Sequence, residues 1–324
     1  LKRFLGKFSN ELFSEGRPGL SHGGNRIGCK FYKTNTPVNK KICIIGTGNM
    51  GEALISGLIG SASSKPENII CTDVREAKCN TIRDTYGVKT TANNLEAVAG
   101  SDIVIYAVKP QIMAAVLNET ASKLDMSKLI ISIAAGVPME AIESCLNKKL
   151  RLIRVMPNIA AAVKEAATAV AAGKHATKED IKLAMTIFNS IGKTVFIPEN
   201  YLMDAITGLS GSGPAYIFLI VEAMADAGVK VGLSRQEALF LSAQTVLGAA
   251  KMLIETHEHP GQLRDRVTSP GGTAIAGLAT LESGGLRTTL INAVEVATNR
   301  SKELGQMMIK NFTNNGLSDP KPEK

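Results

Sequence analysis

No stretch of 18 consecutive apolar residues occurs in this chain of 324 residues, so no membrane span is expected. Metal and disulfide patterns are equally scarce. The five cysteines and four histidines are scattered; Cys71 and Cys79 lie eight apart, with no CxxC and no neighbouring histidine pair. Buried reduced thiols are expected, and no metal site. The catalytic sets of hydrolases are missing as well: there is no HExxH, no ordering that suggests Ser-His-Asp, and no convincing carboxylate pair. Basic charge is not scarce, but it is misplaced for a nucleic-acid partner. Of the formal net charge of +8, residues 1–40 hold +6, from eight Lys/Arg and the two acids Glu11 and Glu15. A basic extension on a near-neutral body is not a nucleic-acid-binding face.

What is present begins with that extension. Leu1, Leu5, Phe8 and Leu12 can share one helical face, with Lys2, Arg3 and Lys7 around it, and a Ser/Gly/Asn-rich, acid-poor segment follows. Residues 1–40 therefore fit an organellar targeting peptide, mitochondrial or plastid; a disordered basic arm on a cytoplasmic protein is the alternative. Length implies about two domains, and 44% hydrophobic residues are ample for their cores.

Residues 41–200 read as a doubly wound, mostly parallel α/β sheet that binds a dinucleotide. Ile42-Cys43-Ile44-Ile45 is a short buried strand. Gly46-Thr47-Gly48-Asn49-Met50-Gly51 follows, then an amphipathic helix over 52–59. Strand, GxGxxG and helix in that order place backbone amides around a pyrophosphate. Further strands are expected at 68–72, 103–108, 129–133, 151–156 and 194–197, with helices between. Asp73 closes the second strand about 20 residues beyond the third glycine, where a carboxylate binds a ribose 2′-hydroxyl. It favours NADH, while Arg75 two residues on is able to accept the 2′-phosphate of NADPH.

From residue 201 to 312 only helical patterns appear. Pro214 interrupts the first and is expected to kink it, with small residues allowing close helix approach. Ser234 and Glu237 form a capping box that opens a helix to about Thr256. Further helices are expected over 260–267, 273–283 and 287–310, and residues 313–324 as a polar tail. Several helices are apolar on more than one face and so require a partner subunit. Between two of them lies Thr268-Ser269-Pro270-Gly271-Gly272-Thr273. Adjacent glycines leave N–H groups unshielded at a helix start, which suits a small carboxylate.

The segment HPGQLRDRVTSPGGTAIAGLATLE, His259 to Glu282, resembles the signature of the pyrroline-5-carboxylate reductase family, as does DAITGLSGSGPAY from Asp204. The resemblance covers 41 to about 306. It implies a Rossmann-type domain followed by an all-α dimerisation domain, interleaved between two chains of a homodimer or larger homo-oligomer. It also implies hydride transfer from NADH or NADPH to 1-pyrroline-5-carboxylate, giving L-proline. On its pattern Gly46, Gly48, Asn49, Met50, Gly51, Asp73, Arg75 and Asn94 bind the cofactor, with Asn94 near the adenosine end. Ala107-Val108-Lys109-Pro110 and Ala134-Ala135-Gly136 are its nicotinamide-side loops, and Met156-Pro157-Asn158 resembles a third. Asn158, Ser269, Gly271, Gly272 and Thr273 fall in the substrate region. Thr273 and Ala274 occupy the catalytic positions. Two departures stand out: Ile159-Ala160 replace a usual Thr-Pro, and Ala274 replaces a threonine that contacts the substrate nitrogen. A weakened or non-catalytic nucleotide-binding member is therefore an open alternative. So is another oxidoreductase of this plan, for example one acting on β-hydroxy acids. Such enzymes carry a lysine on the interdomain helix, and residues 211–226 hold no Lys or Arg.

Overall fold

The structure, a computed structural model, describes residues 37–197 and 200–316. The targeting reading of residues 1–36 and the end of the expected polar tail, 317–324, lie outside them.

Eight strands form one sheet in the order β3-β2-β1-β4-β5-β6-β7-β8. They are β1 (Ile42–Ile45), β2 (Ile69–Thr72), β3 (Lys89–Thr91), β4 (Ile103–Tyr106), β5 (Leu129–Ser132), β6 (Arg151–Met156), β7 (Ala166–Ala172) and β8 (Gly192–Phe196). β1 to β6 run parallel, β7 pairs antiparallel with β6, and β8 runs parallel to β7. β3 and β7 were not expected from the sequence. Residues alternate between two cores. Ile42 and Ile44 pack with Leu54, Ile55 and Leu58, while Cys43 packs with Val98, Met113 and Leu117. The first set comes from α1 (Asn49–Gly60), the second from α3 (Asn94–Ala99) and α4 (Pro110–Thr120); α2 (Glu76–Tyr86), α5 (Met139–Leu146) and α6 (Lys178–Asn189) complete the covering layers. Burial on both faces is why the strands read as unbroken apolar runs.

The chain leaves β1 toward β2 on one side and β4 on the other, so the crevice for a ligand opens between β1 and β4 at their carboxyl ends.

After Asn200 the described structure is helical. α7 (Met203–Ile206) passes through a π turn (Thr207–Gly211) into α8 (Gly213–Lys230), followed by α9 (Arg235–Thr256), α10 (Pro260–Arg266), α11 (Thr273–Ser283) and α12 (Leu286–Gly316). Where Pro214 was expected to kink the helix, a π turn precedes it, with Pro214 in the first turn of α8. Glycine allows the close approach foreseen there: a Cβ on Gly208 would collide with the Thr298 hydroxyl of α12. The capping box is formed, Glu237 N–H donating to Ser234 Oγ at 3.3 Å and Ser234 N–H to Glu237 Oε2 at 3.2 Å.

α12 corrects the expected end of the helical region. It runs to Gly316, into what was read as tail, because its last turns dock on the sheet domain: Leu304 backs Gly136, Gly305 lies against Pro138, and Phe312 is buried beside α5 residues. The other helices leave apolar side chains uncovered, Phe218 at 64% and Phe240 at 67% exposure. Two helical stretches, Asn200–Lys230 and Arg235–Thr256, are by length and composition long and apolar enough to cross a membrane. Such helices equally suit an uncovered subunit interface, so they decide nothing about a membrane.

Candidate active site

The three glycines after β1 do different work. Gly46 sits at φ +97°, and a Cβ there would lie 2.8 Å from the carbonyl oxygen of Ala107. A Cβ on Gly51 would collide with the Gly46 carbonyl, whereas one on Gly48 would meet nothing within 4 Å. The first and third glycines thus close the turn and seat the helix; the second leaves the open side from which a pyrophosphate approaches. Gly48 is the N-cap of α1 and no side chain caps the helix start, so the amides of Asn49, Met50 and Gly51 face the opening. The cradle fits a dinucleotide.

Asp73 follows β2, at the expected place. Its Oδ2 accepts from Thr47 N at 3.0 Å and Thr47 Oγ1 at 2.7 Å; its Oδ1 accepts from Arg75 N at 3.0 Å and Nε at 2.9 Å. Burial pushes its pKa up, but the hydrogen bonds from Arg75 and Thr47 outweigh that and hold the carboxyl far below the usual carboxylate range. Asp73 therefore ties the glycine-rich turn to the end of β2, and Arg75, largely exposed, is neutralised by it. Asn94 is the first residue of α3; Asn93, not Asn94, is the N-cap, and Asn94 Nδ2 donates to Glu119 Oε2 at 2.9 Å.

The remaining loops leave neighbouring strands on the same sheet edge. Ala107 and Val108 follow β4, Lys109 is the exposed N-cap residue of α4, and Pro110 is its first residue. Ala134-Ala135-Gly136 follow β5, with Ala134 buried and Gly136 at φ +68°. Asn158 follows β6, and both ends of its carboxamide are engaged. Nδ2 donates to the Ser210 carbonyl at 3.0 Å, and Oδ1 accepts from Ala160 N at 3.2 Å.

The glycine pair lies elsewhere. Gly271 has φ +66°, and a Cβ on Gly272 would collide with Ser269 Oγ. Gly272 donates its N–H to the Ser269 carbonyl at 3.0 Å and is the N-cap of α11, which no side chain caps. The amides of Thr273, Ala274 and Ile275 thus open outward, with Thr273 and Ser269 exposed and Ala274 half-buried. α10 and α11 make no extensive contact with the sheet domain of the same chain. One chain brings the residues expected to bind the cofactor together at the strand ends, while the Gly271-Gly272 loop lies on helices that make no extensive contact with them.

Known proteins carry the same two halves. Residues 200–304 match the domain family described as pyrroline-5-carboxylate reductase dimerisation, and 41–136 match NADP oxidoreductase coenzyme F420-dependent. The pyrroline-5-carboxylate reductase of Methanosarcina acetivorans is 52% identical over 268 residues, 83% of this chain and 99% of that protein. The Arabidopsis thaliana protein of that name is 46% identical, over 82% of this chain and 96% of its own. The solved pyrroline-5-carboxylate reductase of Coxiella burnetii superposes with a TM-score of 0.79 at 39% identity, covering 82% of this chain and 99% of its own.

The chain belongs to the pyrroline-5-carboxylate reductase family.

Within this reductase framework the strand-end residues sit where the sequence pattern put them. Three features escaped sequence reading: the engagement of Asp73 by Thr47, the occupation of the Asn158 carboxamide, and the π turn. Only the last had a signal, Pro214 inside an otherwise helical stretch. One thiol touches this site: Cys79 Sγ donates to the Asp73 carbonyl at 3.5 Å. Cys43, Cys71 and Cys79 are buried free thiols, and burial pushes the pKa of Cys43 to about 12. Among the described residues no cluster of His, Cys, Asp or Glu forms a metal site.

Proposed function

We propose that this chain reduces 1-pyrroline-5-carboxylate to L-proline with NADH or NADPH, as a step of proline biosynthesis. The observation that carries the reading is the pairing, in one chain, of a glycine-lined dinucleotide cradle with an uncapped helix start behind Gly271-Gly272. The bound cofactor supplies the hydride to the carbon of the C=N bond. The chain's own work is placement. Amides at the start of α1 hold the pyrophosphate, and the loops after β4, β5 and β6 border the nicotinamide. Amides of Thr273 and its neighbours hold the substrate carboxylate in the partial positive charge of a helix N-terminus. The ring nitrogen enters protonated near neutral pH, so no strong acid is required of the protein. Steady-state oxidation of NAD(P)H on addition of pyrroline-5-carboxylate tests the reading. Ala274 and Ile159-Ala160 favour a second one, a weakened or non-catalytic member, for which the same assay gives no turnover while NAD(P)H still binds.

NADH is the better cofactor in this proposal. Asp73 is paired with Arg75, so the guanidinium offers no uncompensated positive charge to a 2′-phosphate. Asp73→Ser should raise the NADPH/NADH ratio of kcat/KM about tenfold, about 1.4 kcal/mol; an unchanged ratio removes Asp73 from cofactor choice. Residues 1–40 act as an organellar targeting segment, tested by fusing them to a fluorescent protein; a cytoplasmic signal refutes it.

A further inference from the structure

Pro214 creates a vacancy that the sheet domain fills. In a regular helix the carbonyl of Ser210 accepts from the N–H four residues on. That residue is Pro214, which has no N–H. The helix adjusts by a π turn in which Ser212 N–H reaches back to the Thr207 carbonyl at 2.8 Å. Two carbonyls of this stretch accept from side chains instead. Gly208 O accepts from the Tyr216 hydroxyl at 3.1 Å, within the helical segment. Ser210 O accepts from Asn158 Nδ2 at 3.0 Å, from the other domain. The other end of the same carboxamide accepts from Ala160 N and is the N-cap of the turn that follows β6. Next to this link, Met156 at the end of β6 lies so close to Gly211 that a Cβ there would come within 2.7 Å of its Cε.

We propose that Asn158 is a positioning residue: by filling the carbonyl that Pro214 leaves open, it fixes the nicotinamide-side end of β6 to the start of the interdomain helix. The inference rests on the reductase reading above. It assigns Asn158 no contact with substrate, unlike the role implied by sequence resemblance. Hydride transfer requires donor and acceptor carbons aligned closely, and a misplacement of about 1 Å costs up to about 100-fold in rate. The Asn158 link sits where such a displacement would arise, because β6 ends beside the nicotinamide loops and α8 leads into the domain that holds the carboxylate loop.

The test uses Asn158→Asp, which keeps the acceptor for Ala160 and replaces the donor by an oxygen facing the Ser210 carbonyl. Expected are a fall in kcat of about tenfold or more, an increased primary isotope effect with 4-deuterated NADH, and unchanged KM and NADH affinity. Amide exchange should quicken over 207–216 and stay unchanged over 46–51. A raised KM with unchanged kcat would mean that Asn158 touches substrate and overturns the proposal. Lower melting temperature with unchanged kinetics and isotope effect also overturns it, leaving a structural role. Pro214→Ala provides the independent variant, since it returns an N–H to Ser210. In that background replacing Asn158 should have a markedly smaller effect than in the wild type; full additivity refutes the link. If the unaltered protein fails to turn over pyrroline-5-carboxylate, the reductase reading falls, while the exchange measurement still decides the clamp.

Discussion

Asp73 shows how one side chain can sit at the expected place and still hold an unforeseen partner. The sequence located it at the end of β2, and there it is, but its Oδ2 bonds Thr47 of the glycine-rich turn. That contact depends on the turn's fold, which no spacing rule reports. Its consequence is measurable. A depressed carboxyl pKa stabilises the folded chain above the ordinary carboxylate range and loses that effect as pH falls through it. Asp73→Asn should therefore be less stable than the wild type in urea at neutral pH, and the gap should narrow toward pH 3; a constant gap would mean that charge is not what Asp73 contributes. Ala274 is the other decisive residue. On the function proposed above, the uncapped amides at the start of α11 would hold a carboxylate without help from its side chain. What it lacks is a hydroxyl for the ring nitrogen as it becomes an amine. A lost hydrogen bond of this kind weakens transition-state binding by about 1–3 kcal/mol. Ala274→Thr should raise kcat/KM for pyrroline-5-carboxylate several-fold with NADH affinity unchanged. An equal or lower rate, through crowding or because Thr273 already serves the nitrogen, refutes that placement of residue 274.

Among the elements, legibility followed composition. β1, β2, β4, β5 and β6 are rich in isoleucine, leucine and valine, and their runs announce buried strands. β3 is Lys-Thr-Thr at the sheet edge, and β7 is mostly alanine, with little strand preference of its own. Pairing with neighbours makes both, and only pairing reveals that β7 turns antiparallel to β6. The helix junction hid a polar cluster for the same reason. Arg154, in the middle of apolar β6, is buried, and desolvation lowers its pKa against the opposing pull of Asp204 and Glu140. Asp204 of α7 lies 4.0 Å from Arg154 and accepts from Ser301 of α12 at 2.7 Å. It joins three elements, one from the sheet and two from the helical region. Asp204→Ala would remove a carboxylate beside the buried guanidinium and should destabilise by about 1–3 kcal/mol, less than a fully buried pair because Asp204 is partly exposed. Asp204→Asn keeps the acceptor for Ser301 and should recover part of the loss. Equal unfolding midpoints for wild type and Asp204→Ala would show that Glu140 and Asn200 suffice for Arg154.

For the molecule as a whole the question is what covers α8 and α9. These helices pack on each other, yet Phe218, Leu219, Phe240 and Leu247 are each at least 59% exposed. Apolar exposure on this scale is unusual for a monomer. The match of residues 200–304 to a dimerisation domain fits a second copy as the occupant, in line with the partner subunit expected from the apolar helix faces. On the function proposed above, a site built at the junction of two chains would leave the Gly271-Gly272 loop away from its own strand ends and need the partner to complete it. Phe240→Glu sets a charge in the middle of that surface, far in sequence from the glycine-rich turn and the carboxylate loop. Removing its apolar area weakens association by roughly 2 kcal/mol, and burying an unpaired carboxylate weakens it further. The variant should sediment as a smaller species than the wild type, bind NADH with unchanged affinity through its intact sheet domain, and lose pyrroline-5-carboxylate turnover in proportion to the fraction dissociated. Activity that returns as protein concentration rises would tie catalysis to assembly. A dissociated variant that kept full turnover would place the whole site within one chain.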